Sequence, residues 1–139
     1  VGAALLVCVV APVAEEFVFR GYFFTAMRGW RGIWPAAIIT GLAFGAIHLG
    51  STNAVYLVPL AFFGFVLCLV YDRTGSLYTV IAVHAVNNAL AFGSALGWDW
   101  QIQPGRGPQQ CRGFLPVAAG ALAVIAIGAR SLERLQRAA

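Results

Sequence analysis

From residue 1 to residue 27 the chain is apolar almost without a break, and the break is Glu15-Glu16-Phe17-Val18-Phe19-Arg20. Further apolar stretches follow at residues 34–49, 53–71, 76–96 and 114–129. About 20 apolar residues cross a bilayer as a helix, so the pattern predicts an all-α, polytopic transmembrane bundle of about five spans. The second and fifth stretches are short for a crossing. Pro35 falls in the first turn of the second, a favoured place for proline. The links at 28–33, 50–52 and 72–75 are brief, whereas residues 97–113 are rich in Gly, Pro and Gln and read as an exposed loop. Residues 130–139 read as a polar continuation of the fifth helix. No repeat is visible, and one transmembrane domain accounts for residues 1–139.

Composition agrees with that pattern. Hydrophobic residues make up 60% of the 139-residue chain and charged residues only 10%, whereas a soluble domain carries roughly 25% charged residues. The nine basic residues are all Arg. They lie mostly at segment ends, where they mark topology and meet lipid headgroups. They do not form a nucleic-acid surface. Arg28, Arg31, Arg73, Arg130, Arg134 and Arg137 fall on one face and Arg106 and Arg112 on the other, which places the first face in the cytoplasm. Trp30, Trp34, Tyr71 and Tyr78 flank that face, and Trp98 and Trp100 the opposite one, as an aromatic belt would. Cys8, Cys68 and Cys111 show no CxxC spacing and indicate neither a disulfide framework nor a thiolate metal site. The chain starts at Val1 inside an apolar run and lacks the basic region of a signal peptide. It is expected to be a piece of a longer protein with helices ahead of it.

Candidate chemistry lies in three polar islands within different apolar stretches. Ionisable groups at hydrocarbon depth usually face a bundle interior or a wet cavity and mark function. In the first island, Glu16 and Arg20 are spaced i, i+4 with the acid leading, the better orientation for a helical ion pair. Glu15 points about 100° away around the helix and is the unpaired carboxylate, the type of group a general base requires. A structural clamp would explain Glu16 and Arg20 but not Glu15. Pro12 lacks a backbone donor, so a bend near this site is expected. The second island is Phe44 with His48, one turn apart; the bland alternative for His48 is an interfacial residue bonded to a carbonyl near a helix end. Ala37, Gly41 and Gly45 form a small-residue row beside it, which permits close helix approach. The third island is His84 with Asn88, again one turn apart and beside a small row at Ala85, Ala89 and Gly93. It can hold a water, a metal or an oxyanion, or serve as interhelical glue. At 1.5 Å per residue, Glu15 lies ~20 Å, His48 ~21 Å, Asn88 ~18 Å and His84 ~12 Å from the same membrane face. The islands therefore meet if the first, second and fourth helices are neighbours. Glu15, His48 and His84 suit catalytic zinc with water as the fourth ligand. They equally suit a metal-free scheme in which Glu and His activate water while His and Asn hold the oxyanion.

Taken together, Glu15-Glu16-x-x-x-Arg20-Gly21, Phe44-x-x-x-His48 and His84-x-x-x-Asn88 resemble the signature of the CAAX prenyl endopeptidase and bacteriocin-processing family (the CPBP or Abi intramembrane proteases). The likeness covers residues 11–92. It implies a membrane-embedded endopeptidase in which Glu15 and His48 activate the attacking water. His84 and Asn88 would bind the scissile carbonyl or a metal, while Glu16 and Arg20 shape the site. Members have been described both as metalloproteases and as metal-free glutamate peptidases, so the cofactor is zinc or none. Eukaryotic members trim prenylated CAAX proteins; prokaryotic ones are tied to peptide processing or bacteriocin self-immunity. The expected partners are membrane lipid and a peptide or protein substrate, lipid-modified in part of the family, and not nucleic acid. The expected location is a prokaryotic cell membrane, crossed several times. Two other classes compete with this reading: a catalytically silent immunity or scaffold protein, and a transporter using Glu15, His48 and His84 as a proton or metal relay.

Overall fold

The computed structural model describes residues 2–95. They form four principal helices: α1 (Gly2–Arg31), α2 (Ile33–Ala46), α3 (Leu57–Thr74) and α4 (Leu77–Ala95). A single 3-10 turn at Ala54–Tyr56 leads into α3, and no strand occurs among the described residues. By length and apolarity α1 qualifies as a membrane span, as does α3 together with its leading turn (Ala54–Thr74). α2 is apolar but shorter, and α4 carries His84, Asn87 and Asn88, which lower its hydropathy. The expected fifth helix, the loop at 97–113 and the tail lie outside the described residues.

α1 runs four residues beyond its expected end at 27, and only Gly32 separates it from α2. Gly32 has φ 82°, a conformation open to glycine and strained for other residues. α2 stops at Ala46, three residues before its expected end, and the chain turns through Ile47–Thr52. α3 ends where Gly75 adopts a left-handed conformation and donates its N–H to the Tyr71 carbonyl at 2.8 Å, a standard helix stop. Arg28 at the end of α1 pairs with Asp72 at the end of α3 at 2.9 Å. The links that share a face in the sequence reading therefore do lie together.

Within α1, two stretches adopt π-helical hydrogen bonding, Leu6–Val10 and Phe17–Phe24, on either side of an α-helical segment Ala11–Glu16. Such segments are rare and recur at functional sites. The helix stays continuous through both Pro12 and Gly21. Near Pro12, where a bend is expected, the structure shows a shift in hydrogen-bond register.

α1 touches all three other helices, α2 packs most closely on α3, and α4 lies against α1 and α3. α2 and α4 are not packed side by side, so the expected set of three mutual neighbours is replaced by an arrangement centred on α1 and α3. The closeness of α2 to α3 follows from the small-residue row. A Cβ on Gly41 would stand 2.7 Å from the Ala61 carbonyl oxygen and 2.8 Å from the Phe65 nitrogen. Those are backbone atoms and cannot rotate aside. Gly41→Ala is therefore expected to destabilise the protein by about 1–3 kcal/mol, the range for overpacking, read as a lower Tm in detergent. The core comprises Phe19, Phe44, Phe63, Leu67, Val70 and Val80, with a second group of Phe24, Ala36, Ala37 and Cys68.

Candidate active site

Glu16 and Arg20 are fully buried, and Arg20 Nη1 donates to Glu16 Oε1 at 2.7 Å. The i, i+4 pair anticipated from spacing is present. Arg20 Nη2 also donates to the Gly64 carbonyl of α3 at 2.7 Å, and the guanidinium lies over the Phe44 ring, 5.0 Å from its centroid. Gly64 makes this possible. A Cβ there would sit 2.9 Å from Phe44 Cβ, so only a residue without a side chain lets the phenyl ring and the guanidinium share that space. An ion pair in a dry interior is stable only when its remaining polar atoms find partners. The Gly64 carbonyl is one such partner, whereas Glu16 Oε2 and Arg20 Nε have none among the described residues.

The same Glu16 oxygen accepts a second bond, from His84 Nδ1 at 2.7 Å. Because this carboxylate is ionised against Arg20, the imidazole nitrogen facing it is the donor. Nδ1 therefore carries a proton, and Nε2 is the atom left to gain or lose one. Nε2 faces the other member of the acidic pair, lying 3.7 Å from Glu15 Oε2. That distance exceeds a direct hydrogen bond. Glu15 Oε2 is itself buried with no hydrogen-bond partner among the described residues, although a quarter of the side chain (25%) is exposed. The imidazole is packed edge-on between Phe44 and Phe63, with ring centroids 5.6 Å and 5.5 Å away. Adjacent positions in the sequence thus have different surroundings. Glu16 is a fixed, neutralised anchor, and Glu15 presents a free oxygen to the imidazole that Glu16 holds.

His48 lies past the end of α2, half-buried, and its Nδ1 donates to the Phe44 carbonyl at 2.8 Å. This bond fixes its tautomer in the same sense as that of His84, with Nε2 unprotonated in the neutral ring. It also covers a carbonyl that the ended helix leaves without a partner. The His48 ring lies 5.2 Å from the Phe44 ring, so both imidazoles border one phenyl group. No hydrogen bond or ion pair joins His48 to Glu15, Glu16 or His84 among the described residues. Asn88 Nδ2 donates to the Val7 carbonyl of α1 at 3.0 Å, and its Oδ1 accepts from Asn87 at 3.2 Å. The structure therefore gathers Glu15, Glu16, Arg20 and His84 into one cluster. It sets His48 beside it across Phe44 and ties Asn88 to the backbone of α1.

Zinc held by Glu15, His48 and His84 would need those three side chains around one point. Among the described residues no three His, Cys, Asp or Glu side chains are close enough together to hold a metal ion. The donor set as placed does not fit a three-ligand centre. Gly64 and Phe63 escape a reading of the sequence because neither carries a charge. A glycine inside the aromatic run Phe62-Phe63-Gly64-Phe65 is the signal that marks a close backbone approach there.

Apolar helices enclosing a compensated carboxylate–guanidinium–imidazole cluster define a membrane protein with a buried ionisable site. The chain belongs to the Rce1-like family of type II CAAX prenyl endopeptidases, whose family model matches residues 1–90. That family is one of membrane-embedded proteases. A relative in Escherichia coli, described as an uncharacterised 24.3 kDa protein, is 32% identical over 94 residues, covering 64% of this chain. The chain spans 43% of that relative's length. No solved structure matches the chain.

Proposed function

We propose that this chain carries the water-activating site of a multi-pass intramembrane endopeptidase, with Glu15 as the base. The observation behind the reading is the 3.7 Å approach of the unpartnered Glu15 Oε2 to Nε2 of His84, whose other nitrogen is held by Glu16. A water at about 2.8 Å from both atoms would sit about 2 Å to one side of the line joining them, within hydrogen-bond reach of each. Glu15 takes a proton from that water as its oxygen adds to the scissile carbonyl carbon, and the proton then passes to the departing amine nitrogen. His84 as an imidazolium donates from Nε2 to the oxyanion. Its positive charge is tolerable because Arg20 already offsets Glu16, so Glu15 and His84 share one mobile proton within a neutral cluster. His48 is a second proton acceptor of the same tautomer beside Phe44. No step runs through a metal, since the donors do not form a three-ligand set. The proposed substrate is a peptide segment at or in the bilayer, in the family's manner a lipid-modified one.

Terminal proteomics of cells carrying the wild-type protein, the His84→Ala variant or neither tests this reading. The expected result is a set of shortened membrane-protein termini that appears only with the wild type. Identical termini in all three strains would contradict the enzyme and favour a scaffold.

A further inference from the structure

Asn88 is a candidate oxyanion or metal ligand by its spacing from His84, but its contacts point elsewhere. Its amide nitrogen meets the Val7 carbonyl, 81 positions away on α1. That carbonyl is an unusual acceptor. In an α-helical register it would receive the N–H of Ala11, yet Ala11 donates to Leu6, one residue further back, in the π register of Leu6–Val10. In that register Val7 would receive the N–H of residue 12, which is Pro12 and has none. The π register therefore leaves the Val7 carbonyl without a backbone donor at the point where π bonding gives way to the segment Ala11–Glu16. A buried or lipid-facing carbonyl without a partner is strongly disfavoured.

We infer that Asn88 is a positioning residue. It supplies to the Val7 carbonyl the hydrogen bond that Pro12 withholds, and so fixes the register and rotation of the segment carrying Glu15 against α4. The arrangement explains why the third island spans one turn. His84 holds α4 to Glu16, and Asn88, four residues on, holds α4 to the backbone that precedes the acidic pair. Asn87 supports it by donating to Asn88 Oδ1, which orients the amide with its nitrogen toward Val7. The effect on catalysis rests on the protease reading above; the tie between helices does not.

The test is a double-mutant cycle in the full detergent-solubilised protein, comparing Asn88→Ala in the wild-type and Pro12→Ala backgrounds. Alanine at position 12 restores a backbone N–H that can reach Val7. In the wild-type background Asn88→Ala is expected to lower Tm by about 2–4 °C, the shift for one interhelical hydrogen bond. It is also expected to reduce kcat about tenfold with KM little changed. In the Pro12→Ala background both losses are expected to shrink by at least half. Equal losses in the two backgrounds would overturn the inference, and a kcat loss of 10²–10³ unaffected by Pro12→Ala would instead make Asn88 an oxyanion donor. If no cleavage is detected with any variant, the protease reading fails while the Tm cycle still decides the role of Asn88.

Discussion

Glu15→Gln is expected to abolish proteolysis, with a fall in kcat of at least about 10²–10⁴, the usual contribution of a positioned general base. The substitution keeps shape and size and removes only the ability to accept a proton. Tm is expected to stay within about 2 °C of the wild type, because Glu15 is partly exposed and its Oε2 has no hydrogen-bond partner to lose among the described residues. Loss of activity with stability retained is the signature of a group kept for chemistry. Purified protein, a quenched peptide substrate and a thermal melt suffice for the measurement. Full activity in Glu15→Gln would remove the proposed mechanism.

Arg20→Met is expected to do the reverse and remove stability first. Arg20 is the counter-charge to a fully buried Glu16, and it also donates to the Gly64 carbonyl. Breaking a buried pair by deleting one member costs about 3–5 kcal/mol, because an uncompensated charge remains inside. The single variant should accumulate poorly or melt far below the wild type. The double variant Glu16→Met, Arg20→Met should recover most of that loss, since replacing both members by apolar groups is often neutral. Activity should not return with it, because His84 Nδ1 then has no acceptor and the imidazole is free to turn or change tautomer. If activity returned along with stability, Glu16 would be a packing element with no part in orienting His84.

These two expectations separate residues that are neighbours in the sequence, and part of that separation is legible from spacing alone. The i, i+4 relation pairs Glu16 with Arg20 and leaves Glu15 aside, and the pairing is as anticipated. The row Ala37, Gly41, Gly45 foretells the close approach of one helix, though not that its partner is α3. The Glu16–His84 bond is illegible because it joins positions 68 residues apart and depends on the rotation of two helices about their axes. The acceptors at Gly64 and Val7 are backbone carbonyls, which leave no side-chain mark in a sequence. His48 fits the helical spacing Phe-x-x-x-His, yet α2 ends at Ala46, and periodicity does not locate helix ends within a few residues. The register shift near Pro12 is legible only as a disturbance, since a missing N–H can produce a kink or a π segment with equal economy.

The proposed chemistry depends on the geometry of one imidazole, and the chain's two histidines make that geometry directly observable. Nitrogen-15 NMR of histidine-labelled protein in lipid, recorded for the wild type and for Glu15→Gln, reports which nitrogen of each ring holds a proton. His84 is expected to keep its Nδ1 proton in both proteins, with an Nε2 resonance that moves on Glu15→Gln while the His48 signals stay in place. A neutral His84 protonated on Nε2, or an Nε2 signal indifferent to Glu15, would contradict it.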